Sequence, residues 1–161
     1  MNPAQLLLGT SQGVLATSAA VLILRLFVGA AFVVHGAPKL FGAGRGDMRK
    51  AMSQLLGIPG ALFDLTALLE FLGGIMLVIG LLTRLVAALF VIEMMMTTIS
   101  YITKLYNAPL PRGWTEQFFK ATRGYMFGWE FDSVLLAASA AIAILGPGLF
   151  SIDRIILAVV A

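Results

Sequence analysis

The chain has no cysteine among its 161 residues. That absence excludes disulfides, thiolate nucleophiles, cysteine-ligated zinc and iron–sulfur clusters. It has one histidine, His35, so a bis-histidine haem or a multi-histidine metal centre built by this chain alone is also excluded. Charge is scarce. Asp, Glu, Lys and Arg make up 12% of the residues, against about a quarter in ordinary soluble domains. The formal net charge is +3, but the basic residues are spread over loops and do not form one face, so no nucleic-acid partner is implied. There is no internal repeat and no low-complexity tract.

What the chain has in excess is apolar surface: 60% of its residues are hydrophobic. Four apolar runs, near 15–36, 61–80, 83–103 and 131–150, are each about as long as the roughly 20 residues a bilayer core requires. The spacing predicts an all-α fold: a four-helix transmembrane bundle forming a single membrane domain over residues 1–161. The first run is too long for a signal-peptide core, and no basic start or small-residue cleavage pattern precedes it, so it reads as a retained helix.

Loop charge predicts orientation. Lys39, Arg45, Arg49 and Lys50 lie between the first two runs, and Lys104, Arg112, Lys120 and Arg123 between the last two. The opposite side has only Arg84 and Arg154. The positive-inside rule puts both long loops in the cytoplasm and both termini outside. Each long loop is expected to hold a short interfacial helix. In residues 46–57 Asp47 is the expected N-cap, with Met48, Met52, Leu55 and Leu56 on one face and Arg49, Lys50, Ser53 and Gln54 on the other. Residues 112–131 are dense in aromatics (Trp114, Phe118, Tyr125, Phe127, Trp129 and Phe131), which suits either an interfacial belt or a vestibule for an apolar ligand.

Three charges interrupt the apolar runs. Arg25, Glu70 and Glu93 each fall near the middle of a run, and an unpaired charge at the bilayer centre costs roughly 3 kcal/mol on insertion scales. The economical arrangement sets Arg25 between the two carboxylates inside the bundle. That triad carries surplus negative charge, so either one carboxyl holds a proton or Lys39 or His35 helps neutralise it. The pair of Arg25 with a glutamate reads equally as a structural pin that sets register. Glu93, Thr97, Ser100 and Lys104 follow at steps of four, three and four, a polar stripe from mid-span to the cytoplasmic surface. His35 and Lys39 share a face at the cytoplasmic edge, with Pro38 expected to disturb the last turn. Gly73 and Gly74 lie on the face of Glu70, where a neighbouring helix or a flat ligand can approach closely. Met94, Met95 and Met96 read as adaptable packing, since no matching cluster supports a metal box. In the fourth run, Ala137, Ser139, Ala141 and Ala143 read as tight helix packing.

Three ordered motifs carry a family resemblance: His35-Gly36-Ala37-Pro38-Lys39-Leu40-Phe41-Gly42 at the end of the first run, a pattern from Glu70 through Gly73, Gly74, Leu77, Gly80, Leu81 and Thr83 to Arg84, and Gly146-Pro147-Gly148-Leu149-Phe150-Ser151-Ile152-Asp153 after the last run. Together they make the chain similar to the DoxX family of small integral membrane proteins. The resemblance implies a four-helix bundle in the cytoplasmic (inner) membrane of a bacterium or archaeon, associated with oxidoreductase systems. Any thiol chemistry would have to come from a partner, because this chain has no cysteine.

The expected function is a membrane subunit of a redox complex that binds a quinone or a similar apolar redox molecule. A quinone needs a flat apolar slot and hydrogen-bond donors at its carbonyl oxygens. Gly73 and Gly74 are candidates for the slot, Arg25, His35 and Lys39 for the donors, and Glu70 and Glu93 for proton relay. The alternative is a non-catalytic anchor or assembly subunit. The expected partners are the lipid bilayer and either other subunits or further copies of this chain.

Overall fold

A computed structural model describes residues 13–105 and 129–160. Among them, the chain forms α1 (Val14–Phe41), α2 (Arg45–Leu56), α3 (Gly60–Leu68), a π-helical turn (Leu69–Gly73), α4 (Gly74–Ile79), α5 (Thr83–Ser100), a second π-helical turn (Tyr101–Leu105), α6 (Trp129–Leu145) and α7 (Ile152–Val160). No strand occurs among the described residues. The segment α3–π–α4 is one continuous rod from Gly60 to Ile79, antiparallel to α1 and packed on it. α5 returns beside α4, and α6 lies along α5 and touches α1.

Three of these helices, Val14–Phe41, Gly60–Ile79 and Thr83–Lys104, are long and apolar enough to cross a membrane. Only about a third of each is buried. The outward residues include Phe27, Val34, Leu65, Leu85, Ile92 and Ile99, all exposed. Water-soluble monomers rarely expose continuous apolar surface on this scale. The charged residues Arg25, Glu70 and Glu93 are instead buried inside. Apolar outside and charged inside is the arrangement a bilayer imposes, so the protein is membrane-embedded.

The core explains why the rods meet as they do. Phe32 of α1 stacks on Phe90 of α5, with ring centroids 3.6 Å apart and planes 3° from parallel. Val28, Leu77, Val86, Ala87, Met94, Leu135 and Ile142 fill the space around them. α1 and α4 approach most closely at Gly29 and Gly74. A methyl on either glycine would lie 2.7 Å from the other's carbonyl oxygen, so no larger residue fits there without separating the rods. Of the two openings foreseen for the Gly73–Gly74 pair, the helix is therefore what occupies Gly74. Gly73 faces Val86 and Phe90 across the core.

Several boundaries differ from expectation. The first helix does not stop at residue 36 but runs through Pro38 to Phe41. Proline removes one donor, yet the turn still closes through Gly42 N–H to the Pro38 carbonyl at 2.9 Å. The fourth rod ends at Leu145, not near 150. Gly146 and Gly148 sit at φ of +85° and +71°, a left-handed geometry that terminates helices. The helix in the first long loop is present, but Asp47 does not cap it. Gly44 holds that position, and Asp47 lies in the first turn. The helix expected in the second long loop, with Trp114, Phe118, Tyr125 and Phe127, falls on residues 106–128, outside the described residues.

Candidate functional site

Two polar clusters lie inside the protein, and Arg25 and the glutamates belong to different ones. The predicted Arg25–Glu70–Glu93 triad does not form. Arg25 is 1% exposed, and its guanidinium donates to four carbonyls: Leu77 (2.9 Å) and Val78 (3.0 Å) at the end of α4, and Pro147 (2.6 Å) and Phe150 (2.9 Å) in the turn after α6. The physical reason is register. In the antiparallel pairing Gly29 meets Gly74 and Gly36 meets Phe71, which brings Arg25 level with Leu77 and leaves Glu70 about two helical turns, or ~10 Å, farther along the rod.

This first cluster is a structural staple. The carbonyls at a helix C-terminus lack intrahelical donors, and a planar guanidinium with five N–H groups satisfies several at once. Asp153 completes it. Its carboxylate accepts from the backbone N–H of Leu82 (2.7 Å) and Thr83 (2.8 Å), capping α5 from a distant part of the chain. Arg84 donates to the carbonyls of Ala143 and Ile144 at the end of α6. Ser18 accepts from Leu149 N–H at 3.1 Å. The Gly-Pro-Gly turn, Ser151, Asp153, Gly80 and Arg84 are thus one knot. Gly80 must be glycine twice over: its φ is +73°, and a methyl there would lie 2.5 Å from the Arg25 guanidinium.

The second cluster lies toward the other end of α1. Lys39 donates to Glu70 Oε1 at 2.5 Å, the Lys39 side chain being 26% exposed and that of Glu70 5%. Of the two neutralisers foreseen for the glutamates, the structure uses Lys39. Glu70 sits on the first π-helical turn, an interruption that turns up disproportionately at functional sites because it re-aims side chains and frees carbonyls. Gly36 makes the approach possible: a methyl there would press on the backbone of Phe71.

Glu93, on α5, is 6% exposed, and its carboxyl lies within hydrogen-bond reach of the Glu70 carboxyl. Oε2 of Glu70 and Oε2 of Glu93 are both buried with no hydrogen-bond partner. Asp132, from the first turn of α6, faces the same space. The Thr97 hydroxyl is within reach of both the Asp132 carboxyl and the Met94 carbonyl, with one proton to give.

Between these groups is a cavity of about 110 Å³ lined by Phe32, His35, Lys39, Glu70, Met94, Thr97, Phe131, Asp132 and Leu135. The His35 ring lies 5.4 Å from that of Phe131, and His35 is exposed at the cavity's edge. The arrangement offers donors (Lys39, His35), acceptors (Glu70, Asp132) and aromatic walls, the mixture that small-molecule sites use to orient a ligand.

Of the residues singled out by sequence, His35, Lys39 and Glu70 line this cavity and Glu93 stands behind it. Arg25 belongs to the staple, and Gly73 and Gly74 to helix packing. Phe131, expected in either an interfacial belt or a ligand vestibule, and Thr97 of the polar stripe line the cavity as well, whereas Asp132 was missed. Asp132 begins a helix and reads as an ordinary N-terminal acid, although its place three residues past Trp129 puts it at the level of the polar stripe from Glu93 to Lys104. In that stripe, Lys104 is exposed and donates to the Leu56 carbonyl of α2. Among the described residues no group of three or more His, Asp or Glu is placed to hold a metal ion.

Comparison with known proteins agrees with the architecture. No solved structure matches the chain. A protein named "Putative oxidoreductase CatD" from Bacillus subtilis (strain 168) is 30% identical over 132 residues, covering 82% of this chain and 83% of that protein. "Inner membrane protein YqjF" from Escherichia coli (strain K12) is 31% identical over 137 residues, 84% of this chain and 91% of that protein. The sequence profile of DoxX matches residues 20–104, the stretch that holds Arg25, His35, Lys39, Glu70 and Glu93. The chain belongs to the DoxX family.

Proposed function

We propose that this protein is an integral subunit of a membrane oxidoreductase system and that the His35–Lys39–Glu70 cavity receives the polar head of a quinone or a similar apolar redox molecule. The observation that carries the reading is the Lys39–Glu70 ion pair on a π-helical turn, opening into an aromatic-walled cavity inside an otherwise apolar bundle. A buried ion pair is weak evidence for stability, whereas ionisable groups inside a membrane domain mark sites of ligand or proton handling.

The cavity volume limits the ligand. At about 110 Å³ it is smaller than the ~150 Å³ that accepts a benzene ring in a protein core. It therefore holds the edge of one ring carrying a carbonyl oxygen, with Lys39 or His35 donating to that oxygen, while the rest of the molecule stays in lipid. α6 serves as the fourth span. Its 17 residues rise about 26 Å, close to the roughly 30 Å hydrocarbon core. The long loops face the cytoplasm, on the charge bias set out above.

The name carried by the Bacillus relative supports an oxidoreductase setting. The anchor reading is supported at Arg25, whose contacts are all architectural, but it leaves the Lys39–Glu70–Glu93 cluster without a purpose.

The test is gentle purification from native membranes, followed by organic extraction and quantification of quinone per chain. We expect near-stoichiometric quinone in the unmodified protein and loss in Lys39→Met and His35→Ala, with retention in Arg84→Lys. Protein that is folded, complexed with partners and free of any lipid-soluble redox molecule would leave the anchor reading standing.

A further inference from the structure

The staple removes Arg25 from the glutamates, and this leaves a charge problem at the second cluster. Two carboxyl groups, Glu70 and Glu93, face each other out of water, and one cation, Lys39, touches only Glu70. An ionised carboxylate is acceptor-only. Each carboxyl also keeps one oxygen, Oε2 of Glu70 and Oε2 of Glu93, that is buried and has no donor among the described residues. Two carboxyl groups within hydrogen-bond reach and with no hydrogen between them repel one another, and like charges so placed do not both stay ionised. One hydrogen shared between them removes both faults: it satisfies both oxygens and brings Lys39, Glu70 and Glu93 together to zero net charge.

We propose that Glu70 and Glu93 bind a single proton between them and form a buried acid–base pair that communicates with the cavity through Glu70. The other groups facing the pair are Lys39 from α1 and Asp132 from α6, and His35 lines the same cavity as Glu70. None of these donates to either orphaned oxygen. Lys39 is engaged with Oε1 of Glu70, and Asp132 lies beside the Thr97 hydroxyl, which donates to the Met94 carbonyl. Glu70 lines the cavity and Glu93 does not, so Glu70 is the exchange face and Glu93 the reserve. When the proton passes to a basic oxygen of a molecule in the cavity, both carboxylates are left ionised beside Lys39, and the proton is replaced from the cavity mouth, where His35 is exposed. This last step rests on the proposed ligand reading; the pair itself does not.

The experiment is infrared spectroscopy of the purified protein in detergent at neutral pH, using the C=O stretch of a protonated carboxylic acid and its shift on exchange into D2O. The unmodified protein is expected to show a band equivalent to one protonated carboxyl per chain. Glu93→Gln and Glu70→Gln should each abolish it, because the remaining glutamate ionises against Lys39. Asp132→Asn should leave it intact.

Lys39→Met is the discriminating variant. Without the cation the pair keeps its shared proton or gains a second, so the band should persist or grow and should not be lost. Should either Gln variant fail to fold, Lys39→Met and Asp132→Asn still decide the matter. An unmodified protein with no such band, a band that survives in both Gln variants, or loss of the band in Lys39→Met would overturn the proposal. A clear band in protein that binds no quinone would sink the ligand reading and leave the proton pair intact.

Discussion

Replacing Arg25 with leucine tests whether the buried arginine is architecture. The guanidinium donates to four backbone carbonyls at helix ends and turns, and of these Leu77 also accepts from the Gly80 N–H at 3.2 Å. Each buried acceptor left unpaired costs about 1–3 kcal/mol, so the other three give a gross loss on the order of 3–9 kcal/mol. Two effects reduce it. Leucine spares the protein the desolvation of a buried cation, and carbonyls near the end of the rods can recruit water. The net expectation is a loss of about 3–5 kcal/mol, the range found when one partner of a buried charged network is removed. Arg25→Lys keeps the charge but loses the planar fork, which spans α4 and the Gly-Pro-Gly turn together, and should recover less than half of that loss. The assay is reversible unfolding in mixed micelles, with the Lys39–Glu70 cluster intact in every variant. If Arg25→Leu unfolds within about 1 kcal/mol of the unmodified protein while abolishing ligand binding, Arg25 is a site residue and the staple assignment fails.

Other perturbations read single elements of the same framework. Asp153→Ala removes the carboxylate that caps α5 through Leu82 and Thr83; a loss of about 0.5–2 kcal/mol is expected in the same unfolding assay. Gly74→Ala pushes a methyl against the Gly29 carbonyl and should cost about 1–3 kcal/mol by overpacking. Gly44→Ala, where a methyl meets nothing within 4 Å, should stay within about 0.5 kcal/mol. Asp64→Asn releases both Arg45 and Arg49; because these pairs are more than a third exposed, the loss should be below about 1 kcal/mol per pair and should shrink as salt is raised.

The sequence was informative where one residue decides its own environment. The three long spans follow from apolar run length, and the second and third begin and end within about two residues of expectation. The burial of Arg25, Glu70 and Glu93 follows from the cost of exposing them to lipid. Their pairing was not legible, because pairing depends on the register between antiparallel rods. That register is set by Gly29 against Gly74 and Gly36 against Phe71, contacts that only the assembled helices reveal. Counting α1 from residue 36 instead of Phe41 also placed Arg25 too near the middle of the span and Lys39 outside it. The π-helical turn at Glu70 left no mark in a Leu-Glu-Phe-Leu-Gly stretch that suits an ordinary helix equally well. Asp153 could not be read as a cap for α5, since about 70 residues separate them in sequence and capping is normally a local signal.

The two clusters differ in how completely their polar atoms are satisfied. In the Arg25 knot the guanidinium and the Asp153 carboxylate find partners on three different segments, and each contact closes a helix end or a turn. At the other cluster, two neighbouring carboxyl groups each keep a buried oxygen without a donor, the helix that carries Glu70 departs from α-helical hydrogen bonding, and a cavity remains open beside them. Unsatisfied buried carboxylate oxygens call for an explanation, and the cavity beside these two supplies one. The motifs divide along the same line. Gly80, Arg84 and the Gly-Pro-Gly turn through Asp153 hold the rods in place, while His35, Lys39 and Glu70 make the opening. The staple fixes the register of α1 against α4, and that register delivers Lys39 to Glu70. Arg25 therefore acts on the site through position alone, across about 21 Å of helix from Lys39.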